Sequence, residues 1–421
     1  MSLQQIIAII IFLCTMGAII TGKVHNTVAS FTGAACLVLT HILSIEDCVD
    51  AVDVETICIL VGMMLLVAVI KNSGIFEYIA IKAAKIAKGR PWPIMVIFIL
   101  ITAVCSGMLD NVTTVLLVGP MTLAITNILK VDPVPYIITQ IMASNIGGTA
   151  TLIGDPPNIM IGSAANLSFV DFILNTGVAT VFVMIGLICM YFIYGRKLFV
   201  TDESIAKVMQ LDENKAIKDR KLMHESVIVI ILVALCFIFH DQLGVQSCTV
   251  AIAAACIMLL IGGQEPEEII ADVEWPTILF FIGLFIVVGG MKKVGVITML
   301  ANGLISITHG NMVVTMMVIL WVSAIVSSFL DNIPFVATLI PMILTMQAEG
   351  MDVTPIWWAL SLGACLGGNG TLIGASANVV LSGISKNNGH PITFGQYFKI
   401  GFPMMILSII VCSVFLLIRF A

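Results

Sequence analysis

The stretch Ser144–Asn158, with the sequence SNIGGTATLIGDPPN, decides how the rest of this chain is interpreted. It holds three glycines, two adjacent prolines, two asparagines and an aspartate within an otherwise apolar region. Glycine and proline interrupt helices, because glycine carries an entropy cost and proline lacks an amide donor. Inside a bilayer, an interrupted backbone is tolerated only where protein buries it or where it lines a wet cavity. The stretch therefore predicts a helix that unwinds at membrane depth to bind a ligand, and an ordinary polar loop between two spans is the alternative.

The composition places the chain in a membrane. Its 421 residues are 59% hydrophobic and only 10% charged, whereas a soluble domain has roughly 25% charged residues. We therefore predict an all-α, multi-pass protein of the cell membrane, in contact with the lipid bilayer. The eleven cysteines are scattered and form no CxxC pattern, which favours buried apolar roles. No nucleic-acid partner is indicated, and the only cofactor-like ligands that we expect are Na⁺ ions.

Apolar windows predict about ten transmembrane helices, since one span needs about 20 apolar residues. The windows are 4–21, 27–44, 54–70, 93–129, 136–165, 172–195, 223–240, 247–262, 275–291, 312–348, 354–385 and 397–419. Two of them, 93–129 and 312–348, are too long for one span and predict two re-entrant hairpins, although two full spans would give the same parity. Two others, 136–165 and 354–385, predict broken helices. No basic residue precedes the window 4–21, which favours a retained span over a signal peptide.

The positions of the charged residues predict the orientation. The polar linker 196–222 is rich in Lys and Arg and is therefore predicted to be cytoplasmic. The connection 45–55 carries only acidic charges and is expected outside, whereas the basic segment 71–92 is expected inside as an interfacial amphipathic helix. The segment 292–311 is its counterpart. These placements agree with an N-terminus on the outside.

The chain contains an internal repeat. Asp110–Asn111 recurs as Asp331–Asn332, an offset of 221 (331 − 110), and Gly147–Asn158 recurs as Gly367–Asn378 at an offset of 220 (374 − 154 for the last glycines). Five crossings separate the window 27–44 from its partner, so the second half is predicted to be inserted upside down. We assign 1–195 and 223–421 to the two repeats. Inverted repeats with helices interrupted at matching positions are typical of secondary transporters, whose site lies near the midplane.

Two carboxylates at matched positions are the first candidates for chemistry. A charged group at the bilayer centre costs roughly 2.5–3.5 kcal/mol even on the scale derived from insertion. Asp110 and Asp331 therefore predict the binding of a cation or a proton, while a purely structural hydrogen bond to a helix N-terminus is the alternative for each. Asn111, Asn332 and Thr113 can supply neutral oxygens. Such a set suits Na⁺ at Asp110, Asn111, Asp331 and Asn332.

The two breaks supply the remaining candidates. Asp155 occurs only in the first half, since Ala375 is its counterpart, so it is a candidate proton-coupling group or an N-cap before two prolines. Asn158 and Asn378 follow the breaks and either cap the second half-helix or contact the ligand. The other candidate residues expose a backbone carbonyl or offer a side-chain oxygen, and they are Gly147, Gly148, Thr149, Thr151, Gly154, Gly367, Gly368, Asn369, Thr371 and Gly374.

Three motifs, Leu109–Thr114, Gly147–Asn158 and Leu330–Pro334, resemble the ion transporter superfamily. The likeness is to its arsenite efflux pumps, NhaD-type sodium/proton antiporters and P protein branch, and more distantly to the sodium/dicarboxylate symporters. Together with the repeat, it covers nearly the whole chain. The resemblance implies a homodimer in which a transport domain carries the hairpins and moves as an elevator against a scaffold domain. It also implies that Asp110–Asn111 and Asp331–Asn332 are hairpin tips that face the two breaks.

The chain departs from the dicarboxylate symporters at both tips, where Asp stands in place of the Ser of their Ser-Asn-Thr motif. A carboxylate repels a dicarboxylate and attracts cations. We therefore predict a secondary transporter driven by H⁺ or Na⁺, with Na⁺/H⁺ antiport as the leading activity. Arsenite efflux by proton exchange, for which Cys105 and Cys365 would matter, and sodium-coupled transport of an organic anion are the alternatives. An intramembrane aspartyl protease is disfavoured, because its Tyr-Asp and Gly-x-Gly-Asp motifs are absent, and no enzyme activity is predicted.

Overall fold

A computed structural model describes residues 1–21, 23–195 and 201–421, and within these ranges the chain is helical and has no β-strand. Nine of the described helices are long and apolar enough to cross a membrane, and four shorter apolar helices accompany them. The prediction of an all-α, multi-pass membrane protein is thereby confirmed. The first five residues of the predicted linker, 196–200, lie outside the described residues.

The first repeat contains eleven α-helices, with a π-helical turn at Ile173–Gly177 before the last of them. Their bounds are α1 Leu3–Thr21, α2 Asn26–Leu39, α3 Ile45–Ala51, α4 Val54–Lys71, α5 Ile75–Ile86, α6 Pro91–Met108, α7 Asn111–Leu129, α8 Val134–Thr149, α9 Pro156–Ala165, α10 Phe169–Phe172 and α11 Val178–Gly195. The long window 93–129 is therefore a hairpin of α6 and α7. The window 136–165 is interrupted between α8 and α9, as predicted.

The second repeat follows a linker that holds α12 Asp202–Met209 and a 3₁₀ turn at Glu213–Ala216. Its helices are α13 Arg220–Leu243, α14 Ser247–Ile261, α15 Pro266–Ala271, α16 Trp275–Lys293, α17 Val296–Ile307, α18 Met312–Phe329, α19 Asn332–Ala348, α20 Thr354–Gly367, α21 Ser376–Asn387 and α22 Phe394–Phe420. A 3₁₀ turn at Gly368–Gly370 opens the second break. From α14 onward the order matches that of the first repeat from α2. The short helices α3, α12 and α15 were not predicted from the sequence.

Two equivalent helix pairs form contacts between the repeats. Helix α4 of the first repeat lies against α14 of the second, and α16 of the second lies against α2 of the first. Two glycines allow these contacts. A Cβ atom on Gly62 would lie 2.6 Å from the carbonyl carbon of Ala251, and one on Gly283 would lie 2.5 Å from Ser30 Oγ. Gly283 follows Gly62 by the repeat offset of 221, and Ala251 follows Ser30 by the same offset. The same close contact therefore occurs twice, as a pseudo-two-fold arrangement requires.

Ion pairs join the ends of α4 and α16 to the opposite repeat. Lys71 Nζ at the end of α4 lies 2.8 Å from Asp272 Oδ2, just before α16. Lys293 at the end of α16 pairs with Asp47 in α3, just before α4. Each pair is partly exposed, so its energetic contribution is small. The two pairs hold α4 and α16 next to each other, with the C-terminal end of each helix near the N-terminal end of the other.

The hairpins and the broken helices converge at the centre of the molecule. Within each repeat, the first hairpin helix packs on the first half of the broken helix, α6 on α8 and α18 on α20. Between repeats, α7 packs on α21 and α19 packs on α9. Each hairpin tip is therefore close to both breaks. Asp110 at the first tip is only 8% exposed, which agrees with a hairpin that ends inside the protein.

We expect Gly62→Ala to destabilise the protein by about 1–3 kcal/mol, the usual cost of inserting a methyl group into a close-packed contact. The new Cβ would collide with backbone atoms of α14, which cannot rotate away. Thermal unfolding of the purified protein in detergent measures the effect. Gly303→Ala in α17 is the matched control, because no atom lies within 4 Å of its Cβ position. Equal unfolding midpoints for the two variants would contradict the close packing of α4 on α14.

Candidate functional site

Both hairpins turn at an aspartate that caps the following helix. Asp110 Oδ1 accepts a hydrogen bond from the Thr113 amide at 2.8 Å, and Asp110 Oδ2 accepts one from the Thr113 hydroxyl. Asp331 Oδ1 accepts from the Ile333 amide at 3.2 Å, and Asp331 Oδ2 accepts from Ser376 Oγ at 2.7 Å. An acidic N-cap satisfies free amides at the positive end of a helix. Both carboxylates thus have a capping role, and Thr113 contacts Asp110 as part of that cap.

The asparagine that follows each break holds the interrupted backbone together. Asn158 Nδ2 donates to three carbonyl groups at 2.9–3.3 Å, those of Gly148, Thr149 and Thr151. Asn378 Nδ2 donates to two carbonyl groups at 2.7 and 2.9 Å, those of Gly368 and Thr371. Interrupting a helix leaves carbonyls without amide partners, and both side chains supply the missing donors. Neither asparagine is the N-cap of its half-helix, since Asp155 and Ala375 occupy those positions.

Threonine hydroxyls join each break to the hairpin of its own repeat. Thr151 Oγ1 donates to the Gly107 carbonyl at 2.5 Å, and Thr371 Oγ1 donates to the Ser328 carbonyl. Thr149 is buried within its own helix and donates to the Asn145 carbonyl at 2.6 Å. The predicted hydroxyl ligands of the two breaks therefore serve, in this conformation, to hold backbone segments together.

The glycines of the breaks allow direct contact between backbones. A Cβ atom on Gly147 would lie 2.2 Å from the Ala103 carbonyl oxygen, and one on Gly154 would lie 2.6 Å from that of Ser106. Any other residue would push the hairpin off the break. Similar close approaches, with nearest atoms 2.2–3.1 Å from the Cβ position, occur at Gly148, Gly367, Gly368 and Gly374. We predicted these glycines as places where a ligand approaches, and the structure packs each of them against protein.

Amide side chains connect the two breaks across the pseudo-two-fold axis. Asn145 Nδ2 donates to Asn369 Oδ1 at 2.9 Å and to Asn378 Oδ1 at 3.0 Å. Ser361 Oγ donates to Asn158 Oδ1 at 2.6 Å. All five side chains are fully buried. Sequence reasoning singled out three of them and missed Asn145 and Ser361, although Asn145 lies in the stretch that revealed the break.

Asp155 links the first break to the tip of the second hairpin. It stands at the N-cap position of α9, yet its side chain makes no capping hydrogen bond. Instead Asn332 Nδ2 donates to both carboxylate oxygens at 3.3 Å. The two residues are 2% and 3% exposed. Asp155 therefore occupies the predicted N-cap position but does not cap the helix through its side chain.

A cavity of about 180 Å³ lies where the tips meet α16. It is lined by three carboxylates, Asp110, Asp155 and Glu274, and by the amides Asn111 and Asn332. Among the described residues, none that lines this cavity is Lys, Arg or His. The remaining walls come from small and apolar side chains and two hydroxyls, namely Met64, Val112, Pro156, Thr277, Ile333, Ala375, Ser376, Ala377 and Val380. The cavity is thus acidic and open to a cation or a proton.

The structure separates one member of the expected sodium set from the other three. Asp110, Asn111 and Asn332 line the cavity, whereas Asp331 does not, and its carboxylate accepts a hydrogen bond from Ser376, which does. Within the described ranges, no three or more His, Cys, Asp and Glu side chains gather closely enough to hold a metal ion. Any cation at this site would therefore depend on amide and hydroxyl oxygens as well as on carboxylates.

Glu274 is the functional candidate that sequence reasoning missed. It directly precedes α16, lines the cavity, and accepts a hydrogen bond from Thr277 Oγ1 at 3.3 Å. The signal was available in the repeat, because Glu274 occupies the position of Asp53 in the first half, and Thr277 that of Thr56. The matched carboxylates were overlooked because they lie at the ends of apolar windows, where acidic residues are common.

Comparison with known proteins gives consistent matches. A family model described as citrate transporter (CitMHS) matches residues 16–363. An uncharacterized transporter of Mycobacterium tuberculosis is 41% identical over 425 residues, which is 99% of both chains. The P protein of Homo sapiens is 32% identical over 501 residues, covering 99% of this chain and 60% of that protein. The crystal structure of the YdaH transporter from Alcanivorax borkumensis has a TM-score of 0.57 and 16% identity over 85% of this chain and 83% of that one, a likeness in fold.

We expect Asn158→Ala to destabilise the protein by about 1–3 kcal/mol or more, because it leaves buried carbonyls of the first break without a donor. The loss is measured as a lower midpoint of thermal unfolding in detergent. The matched control is Asn388→Ala, since Asn388 is exposed and bonds only the Ile384 carbonyl through its side chain, at 2.9 Å. If the two variants unfold at the same temperature, Asn158 does not hold the break.

Proposed function

This chain belongs to the CitMHS family of citrate transporters, and from that membership we propose a secondary transporter that binds Na⁺ at its acidic cavity and exchanges it for protons. The family makes it a transporter and not an enzyme. The observation that supports the cation is the cavity itself, in which Asp110, Asp155 and Glu274 meet without a basic side chain among the described residues.

Charge balance explains why a cation or protons must enter. Two unit charges 4 Å apart interact by about 4 kcal/mol at the effective dielectric constant of a protein near its surface. Three carboxylates around one small cavity therefore repel one another unless protons or a bound cation neutralise them. Because Na⁺ and H⁺ neutralise the same groups, they compete for one site. Such competition, combined with alternating access, produces exchange of one ion for the other.

Asp155 is the group that we expect to bind the ion directly. Its two oxygens accept long hydrogen bonds from Asn332, at 3.3 Å, and the carboxylate also interacts with the side chains of Cys365 and Asn111. The Asp110 carboxylate, in contrast, accepts from both the amide and the hydroxyl of Thr113. Na⁺ is a hard cation whose ligands are oxygens, including those of neutral groups. The amide oxygens of Asn111 and Asn332 are the neutral candidates at the cavity wall.

The movement that we propose divides the molecule into a scaffold and a transport unit. The scaffold contains α2, α4, α14 and α16, and the transport unit contains the two hairpins and the two broken helices. This division and a homodimeric assembly are proposed from the resemblance. A cytoplasmic linker 196–222 and an external N-terminus are proposed from the charge pattern. The described contacts of α4 and α16 with each other and with α3 and α15 support a common scaffold.

Citrate is the second candidate substrate, because the description of the matching family names it. A free citrate trianion would meet three carboxylates and no basic side chain at this cavity. We therefore expect citrate to enter only as a complex with a cation that neutralises it. Arsenite is less well supported, since neither Cys105 nor Cys365 lines the cavity and the Cys365 thiol donates to Asn158 Oδ1 at 3.5 Å.

We expect Asp155→Asn to reduce Na⁺-driven proton movement at least tenfold, because it removes the cavity carboxylate that we propose as the direct ligand of the ion. The assay is the change of internal pH in proteoliposomes after a Na⁺ gradient is imposed. Asp352→Asn is the matched control, since Asp352 is an exposed residue that precedes α20. Full activity in Asp155→Asn would contradict the assignment of Asp155, and a wild-type protein without a Na⁺ response would contradict the proposed antiport.

The same proteoliposomes distinguish the substrates. We expect wild-type protein to accumulate labelled citrate only when Mg²⁺ is present, because the acidic cavity excludes the free trianion. Uptake of citrate in the complete absence of divalent cations would contradict this charge argument. Parallel measurements with Li⁺, arsenite and a dicarboxylate over a pH series identify which solute moves.

A further inference from the structure

A second cavity lies between the beginnings of α8 and α22 and the end of α11. Its volume of about 540 Å³ falls within the range of about 300–1,000 Å³ that is usual for pockets of small organic ligands. The acidic cavity at the hairpin tips measures about 180 Å³ and shares no lining residue with it. Helices α8 and α11 belong to the first repeat and α22 to the second. A ligand in the second cavity would therefore contact both repeats without reaching the ion site.

The wall of this cavity combines apolar side chains with two opposite charges. Val134 and Ile138 of α8 and Ile400 of α22 supply the apolar part, while Asp132 and Lys399 supply the charges. Both charged residues are exposed. Within the described ranges neither charge has an ion-pair partner, and the two do not pair with each other. The cavity therefore presents separate positive and negative groups to a ligand.

The beginning of α22 suits an anion. Thr393 caps this 27-residue helix, and its Oγ1 accepts from the Gln396 amide at 3.2 Å. The first amides of a helix have no carbonyl partner inside it and carry a partial positive charge. Thr393, Gln396 and Lys399 follow one another by three residues, so they lie on the same side of the helix. A phosphate here would meet an ammonium, an amide, a hydroxyl and the positive end of a helix.

The beginning of α8 suits a cation instead. Pro133 and Pro135 flank Val134, and proline has no amide hydrogen to offer to an anion. The Val134 amide donates to Asp132 Oδ1 at 3.0 Å, so it is already used. In the described part of the chain the second carboxylate oxygen, Oδ2, accepts no hydrogen bond. It is therefore available to an ammonium group of a ligand.

Aromatic side chains place the cavity at the level of the lipid head groups. Tyr136 Oη donates to the Pro91 carbonyl at 2.8 Å, so α6 and α8 begin at the same level. Trp92, next in the chain, packs edge-on against Phe192 with ring centroids 5.1 Å apart. Phe192 directly follows Tyr191, which lines the cavity. Trp and Tyr are enriched at both membrane–water interfaces, where their rings sit among head groups.

An aromatic stripe runs from this level along α22. Phe394, Phe398 and Phe402 succeed one another by four residues and therefore share one side of the helix. Their ring centroids are 6.0 and 4.9 Å apart, and Phe394 is 44% exposed. The stripe is adjacent in sequence to Gly395 and Lys399, which line the cavity. An acyl chain can pack along such a surface, which a soluble phosphate compound would leave uncovered.

We propose that this cavity binds the head group of phosphatidylethanolamine, with the phosphate at Lys399 and the primary ammonium at Asp132. The ammonium donates hydrogen bonds to the carboxylate, which the trimethylated ammonium of phosphatidylcholine cannot do. Phosphatidylglycerol has no cation to place beside Asp132. The bound lipid connects the beginning of α8 with that of α22 and so joins the two repeats at one face of the membrane.

The repeat supplies an internal control at the equivalent carboxylate. Asp352 follows Asp132 by 220 residues and accepts from the Thr354 amide at 3.0 Å, as Asp132 accepts from that of Val134. Trp358 stands at the position of Ile138 and packs on Phe172, with ring centroids 5.2 Å apart. A large ring therefore replaces the smaller side chain of the cavity wall.

The basic group is also absent from the equivalent helix. Ser168 accepts from the Asp171 amide at 3.1 Å, as Thr393 accepts from that of Gln396, so the two caps align at an offset of 225. At this offset the counterpart of Lys399 is Leu174. The carboxylate thus occurs in both repeats, whereas the lysine occurs in one, and only that one can hold a phosphate between opposite charges.

Native mass spectrometry of the delipidated full chain tests the site. Dioleoyl phosphatidylethanolamine, phosphatidylcholine and phosphatidylglycerol are titrated separately, and we expect the first to bind about tenfold more tightly than the others. Lys399→Gln should weaken its binding about tenfold, because a hydrogen bond to a charged group is lost. Asp132→Asn should abolish the preference over phosphatidylglycerol, while Asp352→Asn, the matched control, should bind like wild type. Equal affinities for the three lipids, or wild-type binding by both cavity variants, would overturn the proposal.

A filled cavity and a soluble head group complete the test. Ile138→Trp introduces the side chain that the other repeat carries at this position, and we expect it to bind no phosphatidylethanolamine. Because a ligand of the folded state raises its stability, this lipid should raise the unfolding midpoint of wild type but not of Lys399→Gln. Glycerophosphoethanolamine should bind about tenfold more weakly than the lipid, and equal affinity would refute a lipid site. None of these measurements needs an ion gradient, so their outcome is independent of the proposed antiport.

Discussion

The structure depends on how backbone carbonyls are satisfied where two helices are interrupted inside an apolar protein. An unpaired carbonyl in such surroundings is costly. Asn158 and Asn378 meet this requirement by donating to the carbonyls of their own breaks, and Asn145 and Ser361 then bond the oxygens of these two asparagines from the opposite repeat. The hydrogen bonds that hold each break together therefore include a side chain from the opposite repeat. This mutual dependence fixes the centre of the molecule.

The acidic side chains around this centre differ in their hydrogen-bond partners. Both tip aspartates cap helices and have strong partners, so their charge is shared with the backbone. The Asp155 side chain makes no capping hydrogen bond and interacts instead with the side chains of Asn332, Asn111 and Cys365. Glu274, at the start of α16, completes the cavity wall. The asymmetry of the cavity therefore arises in a symmetric framework, from one residue whose counterpart is alanine.

Sequence reasoning was accurate where the signal was local or periodic. The hairpin tips, both breaks and the repeat register follow from glycine, proline and acidic residues at membrane depth, and all are present in the structure. It was inaccurate about what these residues contact. The threonines and glycines of the breaks, expected to face a ligand, are used for close packing. The cavity also includes Glu274, and the other side chains of the cavity wall come mostly from helices distant from it in the chain.

The sequence by itself determined the membrane class, the two repeats and the positions of the breaks, because hydrophobic length and helix-breaking residues act over a few turns of chain. Only the tertiary structure decided that Asp155 faces Asn332, that Asp331 is excluded from the cavity wall, and that Glu274 rather than Asp53 is at the cavity. Those choices depend on how one repeat is placed against the other.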